Sequence, residues 1–342
     1  METQKKRRGD RKDGRLMREL DSLHYVTGIL YPNRCDNEAY ISQRIDLTNM
    51  NAYIAKKNET ETEFPYTMFH LVLAALMKTI TLRPKLNRFI VNSNFYQRNE
   101  VSASFVVKKQ FSDKGAEALA FLHCKDEYTL SDIHDYIRRQ VTECRSDKVD
   151  PSTGAMDILN RIPRFVSKAA IHFLMWLDKH GRVPADIIAT DPYYSSVVIS
   201  NLGSIKLKCG YHHLTNWGTC SLFCIIGEKA VRPIYAPDGT MTMKETLDLG
   251  LTIDERLADG YYYSKSVRLH KRSGTVSGFH LRRNGIYTGT FPQGQCLCNN
   301  RWGRKSADPG RSCGYVRCHG AFHQEQRPPA SDDTGRTSVV HG

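Results

Sequence analysis

The sequence lacks any apolar run long enough to cross a membrane. The longest candidate, residues 169–177, is only nine residues between Lys168 and Asp178, whereas a spanning helix needs about 20. We therefore expect no membrane association and interpret this run as the buried face of a helix. The N-terminus is polar and basic and shows no secretory signal, so we expect a cytoplasmic protein.

The ten cysteines form no regular framework, which predicts reduced thiols, with Cys220 and Cys224 as small core residues.

Several motifs of enzyme chemistry are also missing. There is no glycine-rich phosphate loop, no Gly-x-Ser-x-Gly elbow and no His-Glu-x-x-His pair, so no bound nucleotide or metal cofactor is predicted. The formal net charge of +13 is concentrated at the two ends, residues 1–20 and 274–342. A nucleic-acid interface instead places basic and aromatic side chains on one folded face, so nucleic-acid binding is not predicted.

The chain divides into three regions. Residues 1–37 are expected to form a basic polar arm, with one helical turn at 15–20. Residues 38–272 alternate between period-2 and helical patterns, which predicts a mixed α/β domain. The predicted strands lie at 39–47, 86–90, 102–108, 118–123, 194–200, 222–226, 231–235 and 242–254, and the predicted helices at 48–58, 67–83, 129–141 and 155–180.

The last region, residues 273–342, has 11 of the 24 glycines and four of the ten cysteines. Its lack of apolar periodicity indicates that it buries too little surface to order itself. Two other interpretations stay open. A zinc site could use Cys296, Cys298, Cys313, Cys318, His319 and His323, although this spacing fits no common zinc pattern. Alternatively, the abrupt loss of helical pattern at Arg272 could mark a change of reading frame.

The most informative segment is 252–260, where a strand ends and a helix begins. Glu255 and Asp259 lie four residues apart at this junction. A rigid strand end directs side chains into a cleft, so such positions often carry chemistry. Asp259, followed by glycine, also has the character of a helix N-cap.

Three segments, in order, resemble one family. The sequence 82–87, Leu-Arg-Pro-Lys-Leu-Asn, follows a long apolar helix, and 198–204 reads Val-Ile-Ser-Asn-Leu-Gly-Ser. In 252–260, Asp254, Arg256, Asp259 and Gly260 occupy the positions of an Asp-His-Arg-x-x-Asp-Gly signature. Together they resemble the chloramphenicol acetyltransferase-like superfamily, in particular its dihydrolipoyl acyltransferase branch, over about residues 38–272.

The resemblance implies a large two-layer α/β sandwich with a mixed sheet, flanking helices and a trimeric assembly. It implies acyl transfer between coenzyme A, a co-substrate, and a small acceptor, at sites between subunits. By motif, Ser200 would stabilise the oxyanion, Asp259 would orient the local structure and Glu255 would stand where the branch has its catalytic histidine. No lipoyl or peripheral-subunit-binding domain is recognisable, which argues against a role in a standard 2-oxoacid dehydrogenase complex.

The change to Glu255 leaves the chemistry open. A carboxylate can act as a general base, but a carboxyl group of reference pKa about 4.3 is poorly matched to a thiol of about 8.5. The alternative is a structural Glu255, paired with Arg256 or with a basic residue of a neighbouring subunit, in a catalytically inactive trimeric scaffold or ligand-binding protein. Two further alternatives are a displaced base at His212 or His213, and a Ser200 hydroxyl bonded only to backbone.

Overall fold

The computed structural model describes residues 6–108, 117–125, 128–145 and 159–273. All of these lie in one compact unit, Met1–Thr290. The three interpretations of residues 273–342 therefore concern a segment outside the described residues, apart from the last residue of a helix.

The described residues form a mixture of strands and helices, as the sequence predicts. The strands are β1 Gly14–Leu16, β2 Glu38–Asp46, β3 Arg88–Val91, β4 Asn94–Arg98, β5 Val101–Lys108, β6 Glu117–Cys124, β7 Val197–Asn201, β8 Leu222–Tyr235 and β9 Met241–Asp254. The helices are α1 Ser22–Leu30, α2 Thr48–Asn58, α3 Met68–Leu82, α4 Leu130–Arg145, α5 Arg164–Lys179, α6 Ala185–Thr190 and α7 Gly260–Ser273.

A six-stranded mixed sheet forms the centre of the fold, in the order β2-β9-β8-β7-β5-β6. The β8–β7 and β7–β5 pairs are parallel and the others antiparallel. A second, three-stranded sheet has the order β1-β4-β3. The prediction of an α/β fold with a mixed sheet and flanking helices is confirmed.

The two faces of the large sheet have different partners because side chains alternate along each strand. On the inner face, Leu249, Leu251 and Ile253 of β9 belong to the main core together with helix α3. On the outer face, Val198, Phe223 and Ile225 pack with Leu214 and Cys220 of the loop that precedes β8. Position along a strand therefore decides on which side of the sheet a functional residue lies.

Helix α3 supplies much of the inner layer, and its ends follow from the sequence. Thr67 and His70 form a capping box at its start, an arrangement that satisfies two backbone donors. The helix ends before Pro84, which cannot continue it. Val72, Leu73 and Met77 are fully buried. This central helix fixes the position of the sheet that carries the candidate site.

The N-terminal region differs from the polar arm with a helical turn expected there. Gly14–Leu16 is a strand that pairs with β4, and α1 follows it. The guanidinium of Arg11 is buried and donates to Asp13 Oδ1 and Asp178 Oδ1, each at 2.9 Å. Arg11 thus joins the N-terminal segment to the end of α5. These long-range ion pairs were not visible in a local pattern of basic residues.

The apolar run 169–177 lies in α5, but the expectation that it is buried is wrong for this chain. Phe173 is 59% exposed and Trp176 46% exposed, while Asp178 is buried. Gly181, at φ +66°, follows the end of the helix, where a left-handed backbone conformation favours glycine. Among the described helices, none is long and apolar enough to span a membrane.

The two cysteines predicted to be core residues are indeed buried. Cys220 and Cys224 are 4% and 0% exposed, and Cys224 contributes to the main core. Both carry free thiols, and burial raises the pKa of each. Protonated, apolar-packed thiols of this kind behave as small hydrophobic side chains.

Candidate functional site

A cavity of about 680 Å³ lies where β2, the end of β9 and the start of α7 meet. It contains two of the three predicted site residues, Glu255 and Asp259. Its apolar wall comes from the inner-face residues of β2 and β9, from the turn after β9 and from α7: Ala39, Ile41, Ile253, Ala258, Tyr263 and Val267. Its other polar side chains are Gln43, Ser264 and Arg268. The volume is within the range of small-molecule sites.

A buried ion pair holds the turn that carries Glu255. Arg256 donates from Nε to Asp254 Oδ1 at 2.8 Å and from Nη2 to Asp254 Oδ2 at 2.6 Å. Its Nη1 donates to the Tyr31 carbonyl at 2.5 Å, and the Tyr263 hydroxyl donates to the Asp254 carbonyl at 2.7 Å. Both charged side chains are almost fully buried. A two-point guanidinium–carboxylate pair fixes orientation as well as distance.

This ion pair tests the alternative in which Glu255 is a structural residue paired with Arg256. Because Arg256 is occupied by Asp254, it does not pair with Glu255. The Glu255 backbone N–H donates to the Asn37 carbonyl at 3.0 Å, but its side chain is exposed. Within the part of the chain that the structure describes, that side chain makes no hydrogen bond or ion pair. The turn therefore presents an unpaired carboxylate to the cavity.

Asp259 caps α7, as its place before glycine predicted. Its Oδ1 accepts a hydrogen bond from the Tyr262 backbone N–H at 2.7 Å. That bond is the main reason that the pKa of Asp259 is lowered, so the carboxylate stays ionised at neutral pH. Asp259 thus adds a second negative charge to the same cavity while it fixes the start of the helix.

Ser200 is not brought to this cavity. It lies on β7 opposite Ile225 of β8, in line with Val198, and therefore on the outer face. The Glu255 cavity opens on the inner face, beside the edge strand β2. Strand β8 separates β7 from β9. Within one chain, Ser200 and Glu255 are on opposite faces of the sheet.

The histidine pair proposed as a displaced base lies on the Ser200 side. The ring of His212 stacks on Phe223 with centroids 4.2 Å apart, and Phe223 pairs with Val198 of β7. His212 Nδ1 lies 2.7 Å from the His213 carbonyl, so that nitrogen carries the hydrogen. The structure therefore associates His212 with the outer face and not with the Glu255 cavity.

Three polar residues of the cavity were not found from the sequence. Gln43 continues the alternation of Ala39 and Ile41 on β2, and Ser264 and Arg268 follow Gly260 at intervals of four on α7. Each spacing was visible, since side chains repeat every two residues on a strand and about every four on a helix. The missing information was that β2 pairs with β9, which brings these periodic faces together.

Comparison with known proteins gives structural but not sequence neighbours. No protein-family model matches the sequence, and no curated protein matches it. A probable dihydrolipoamide acetyltransferase from Listeria monocytogenes aligns over 76% of this chain and 94% of its own, with 13% identity and a TM-score of 0.50. The dihydrolipoamide acetyltransferase of Azotobacter vinelandii aligns over 76% and 91%, with 13% identity and a TM-score of 0.50. A chloramphenicol acetyltransferase aligns over 75% and 99%, with 9% identity and a TM-score of 0.48. The two dihydrolipoamide acetyltransferase matches show that the chain has the fold of these enzymes.

Proposed function

We propose that the protein is an acyltransferase that moves an acyl group between coenzyme A and a small acceptor. The observation that carries the proposal is the unpaired carboxylate of Glu255, held at the mouth of a cavity by the Asp254–Arg256 pair. A proton acceptor must reach the reacting group and must not be neutralised by a partner of its own. Glu255 lines the cavity, and the guanidinium of the next residue in the chain, Arg256, does not neutralise it because Arg256 is bound to Asp254.

The spacing of the site residues supports this assignment. The Azotobacter vinelandii enzyme has a serine, a histidine and an asparagine whose roles in its catalytic mechanism have been investigated, and its histidine and asparagine are four positions apart. Glu255 and Asp259 have the same spacing. We assign Glu255 as general base, Asp259 as the group that fixes the turn and the helix start, and Ser200 as the hydroxyl that stabilises the oxyanion. Coenzyme A enters as a thioester co-substrate and not as a bound cofactor.

We further propose that the working form is a homotrimer in which two copies complete each site. Ser200 and Glu255 cannot meet within one chain, because they lie on opposite faces of the sheet. Helix α1, which packs against the Glu255–Leu257 turn, leaves Leu23 69% and Leu30 64% exposed. Several apolar side chains exposed on one helix are typical of a protein interface. A second copy covering α1 could bring its Ser200 to the cavity.

The experiment is a transfer assay with acetyl-CoA and small thiol, hydroxyl and amine acceptors, with acylated products measured by mass spectrometry. We expect product from the wild-type chain. Removing a general base or an oxyanion donor typically costs a factor of about 10² or more, so Glu255→Gln and Ser200→Ala should lose activity on that scale. Glu59→Gln, an exposed carboxylate at the end of α2, is the matched control and should leave the rate unchanged.

Each contrary outcome has a defined meaning. Full activity of Glu255→Gln would refute Glu255 as the base and would redirect attention to His212. Absence of acetyl-CoA binding by calorimetry, together with absence of product, would refute the transferase and favour an inactive scaffold of the same fold.

A further inference from the structure

The cavity that holds Glu255 has an excess of negative charge. Glu255 and Asp259 contribute two carboxylates, and Arg268 is the only cationic residue among those that line it. Arg268 lies near Tyr261, whose pKa is lowered mainly by Lys265 and also by Arg268. Lys85 also helps to lower the pKa of Asp259, but its ammonium lies over the Tyr262 ring at 5.2 Å. Among the described residues that line the cavity, two carboxylates therefore stand against one guanidinium, a net charge of −1.

The wall around these charges is apolar. Ile41 and Ile253 come from adjacent strands, and Val267 faces them from α7. A wall of this kind binds an alkyl chain and excludes water from it. The cavity thus combines an anionic end with a hydrocarbon lining, and these two features together describe a ligand with a cationic head and an aliphatic body.

The negative charge of Glu255 also favours one class of acceptor. An ammonium group is attracted to the carboxylate of Glu255 by opposite charge, and this attraction holds the acceptor nitrogen beside the base. A thiol or an alcohol is neutral and gains no such attraction. An anionic base is therefore better matched to a cationic acceptor than to a neutral one.

We propose that the acyl acceptor is a primary aliphatic amine, bound as an ammonium ion with its head at Glu255 and its chain along Ile41, Ile253 and Val267. This inference rests on the proposed acyltransferase function and names its acceptor. Asp259 strengthens the local negative potential without contacting the reacting nitrogen. Arg268 opposes it from the rim of the cavity.

The reaction balances without any further reactant. Glu255 accepts one proton from the ammonium, and the neutral nitrogen attacks the thioester carbonyl. The C–N bond forms, the C–S bond breaks and the coenzyme A sulfur leaves with the electron pair. The sulfur takes the second proton from the attacking nitrogen, and Glu255 releases its proton to solvent. Ammonium and acyl-coenzyme A give an amide, free coenzyme A and one proton.

The test uses three acceptors of equal chain length with the full chain: pentylamine, pentane-1-thiol and pentan-1-ol, each with acetyl-CoA. We expect the amide to form at least about ten times faster than the thioester or the ester, a difference of about 1.4 kcal/mol. Glu255→Gln should abolish amide formation, whereas Glu59→Gln should not change it. Pentylamine binding measured by calorimetry should weaken at least about tenfold in Glu255→Gln and tighten in Arg268→Gln.

The outcomes separate this inference from the proposed function. Thioester or ester formation that exceeds amide formation would overturn the amine acceptor and leave the acyltransferase standing. Pentylamine affinity unchanged by Glu255→Gln would also overturn it, because the ammonium would then not be bound at that carboxylate. No product from any acceptor, with no binding of acetyl-CoA, would overturn the proposed function and the inference together.

Discussion

The buried histidine His70 should make the folded state sensitive to mild acid. His70 is 3% exposed at the start of α3. Its Nδ1 accepts a hydrogen bond from the Thr67 backbone N–H at 3.0 Å, while its Nε2 is buried without a partner among the described residues. Burial, with a smaller effect of the nearby imidazole of His134, lowers the pKa of His70 to about 4. The neutral ring is therefore favoured in the folded chain.

The sign and size of the effect follow from this shift. In the unfolded chain a histidine titrates near 6.5, so the unfolded state binds a proton first as the pH falls. The stabilisation is complete above about pH 6.5 and is lost progressively down to about pH 4. Between these limits the free energy of unfolding falls by about 3 kcal/mol. About 2 kcal/mol of this fall occurs between pH 7 and pH 5.

The assay compares urea unfolding of His70→Gln with that of the wild type at pH 7 and pH 5. Glutamine keeps a capping-box acceptor for the Thr67 N–H but does not titrate, so the variant should lose about 2 kcal/mol less than the wild type on acidification. His172→Gln, at an exposed histidine of α5, is the control and should behave as the wild type. Equal losses of stability on acidification in His70→Gln and the wild type would show that His70 is not the group that titrates.

Two further predictions concern the turn that carries Glu255. Asp254→Asn should lower the free energy of unfolding by about 3–5 kcal/mol, because it leaves the Arg256 charge buried without its partner. Urea unfolding measures this change. A loss below about 1 kcal/mol would contradict the stabilising role of the buried pair. Asp259→Ala should cost about 1 kcal/mol through loss of the α7 cap, whereas Asp259→Asn should restore most of it; thermal or urea unfolding of both variants checks this, and equal losses would argue against capping.

Much of the fold could be predicted because its signals are local. The apolar spacing of α3, with Thr67 before it and Pro84 after it, fixes both ends of that helix. The hairpin of β8 and β9 follows from its turn, where Gly239 adopts a φ of +85° that glycine accepts readily. These elements depend on residues a few positions apart, so one sequence contains the information.

The site could be predicted only in part because its geometry depends on long-range pairing. The capping role of Asp259 and the strand end at Asp254 are local and were predicted. The pairing of Arg256 with Asp254 instead of Glu255 was not, since adjacent charges allow either arrangement. The placement of Ser200 on the opposite face required the strand order β7-β8-β9. The exposed apolar residues of α5 show the same limit, because periodicity indicates a face but not what covers it.

In the proposed homotrimer, each site is completed by Ser200 from one copy and Glu255 from another. Mixing two inactive variants, Ser200→Ala and Glu255→Gln, under conditions that exchange subunits, and measuring acyl transfer from acetyl-CoA tests this arrangement. In a mixed assembly, the Ser200→Ala chain still offers Glu255 and the Glu255→Gln chain still offers Ser200. We expect transfer to return to a substantial fraction of the wild-type rate. A mixture as inactive as either variant alone, with subunit exchange demonstrated, would contradict the account.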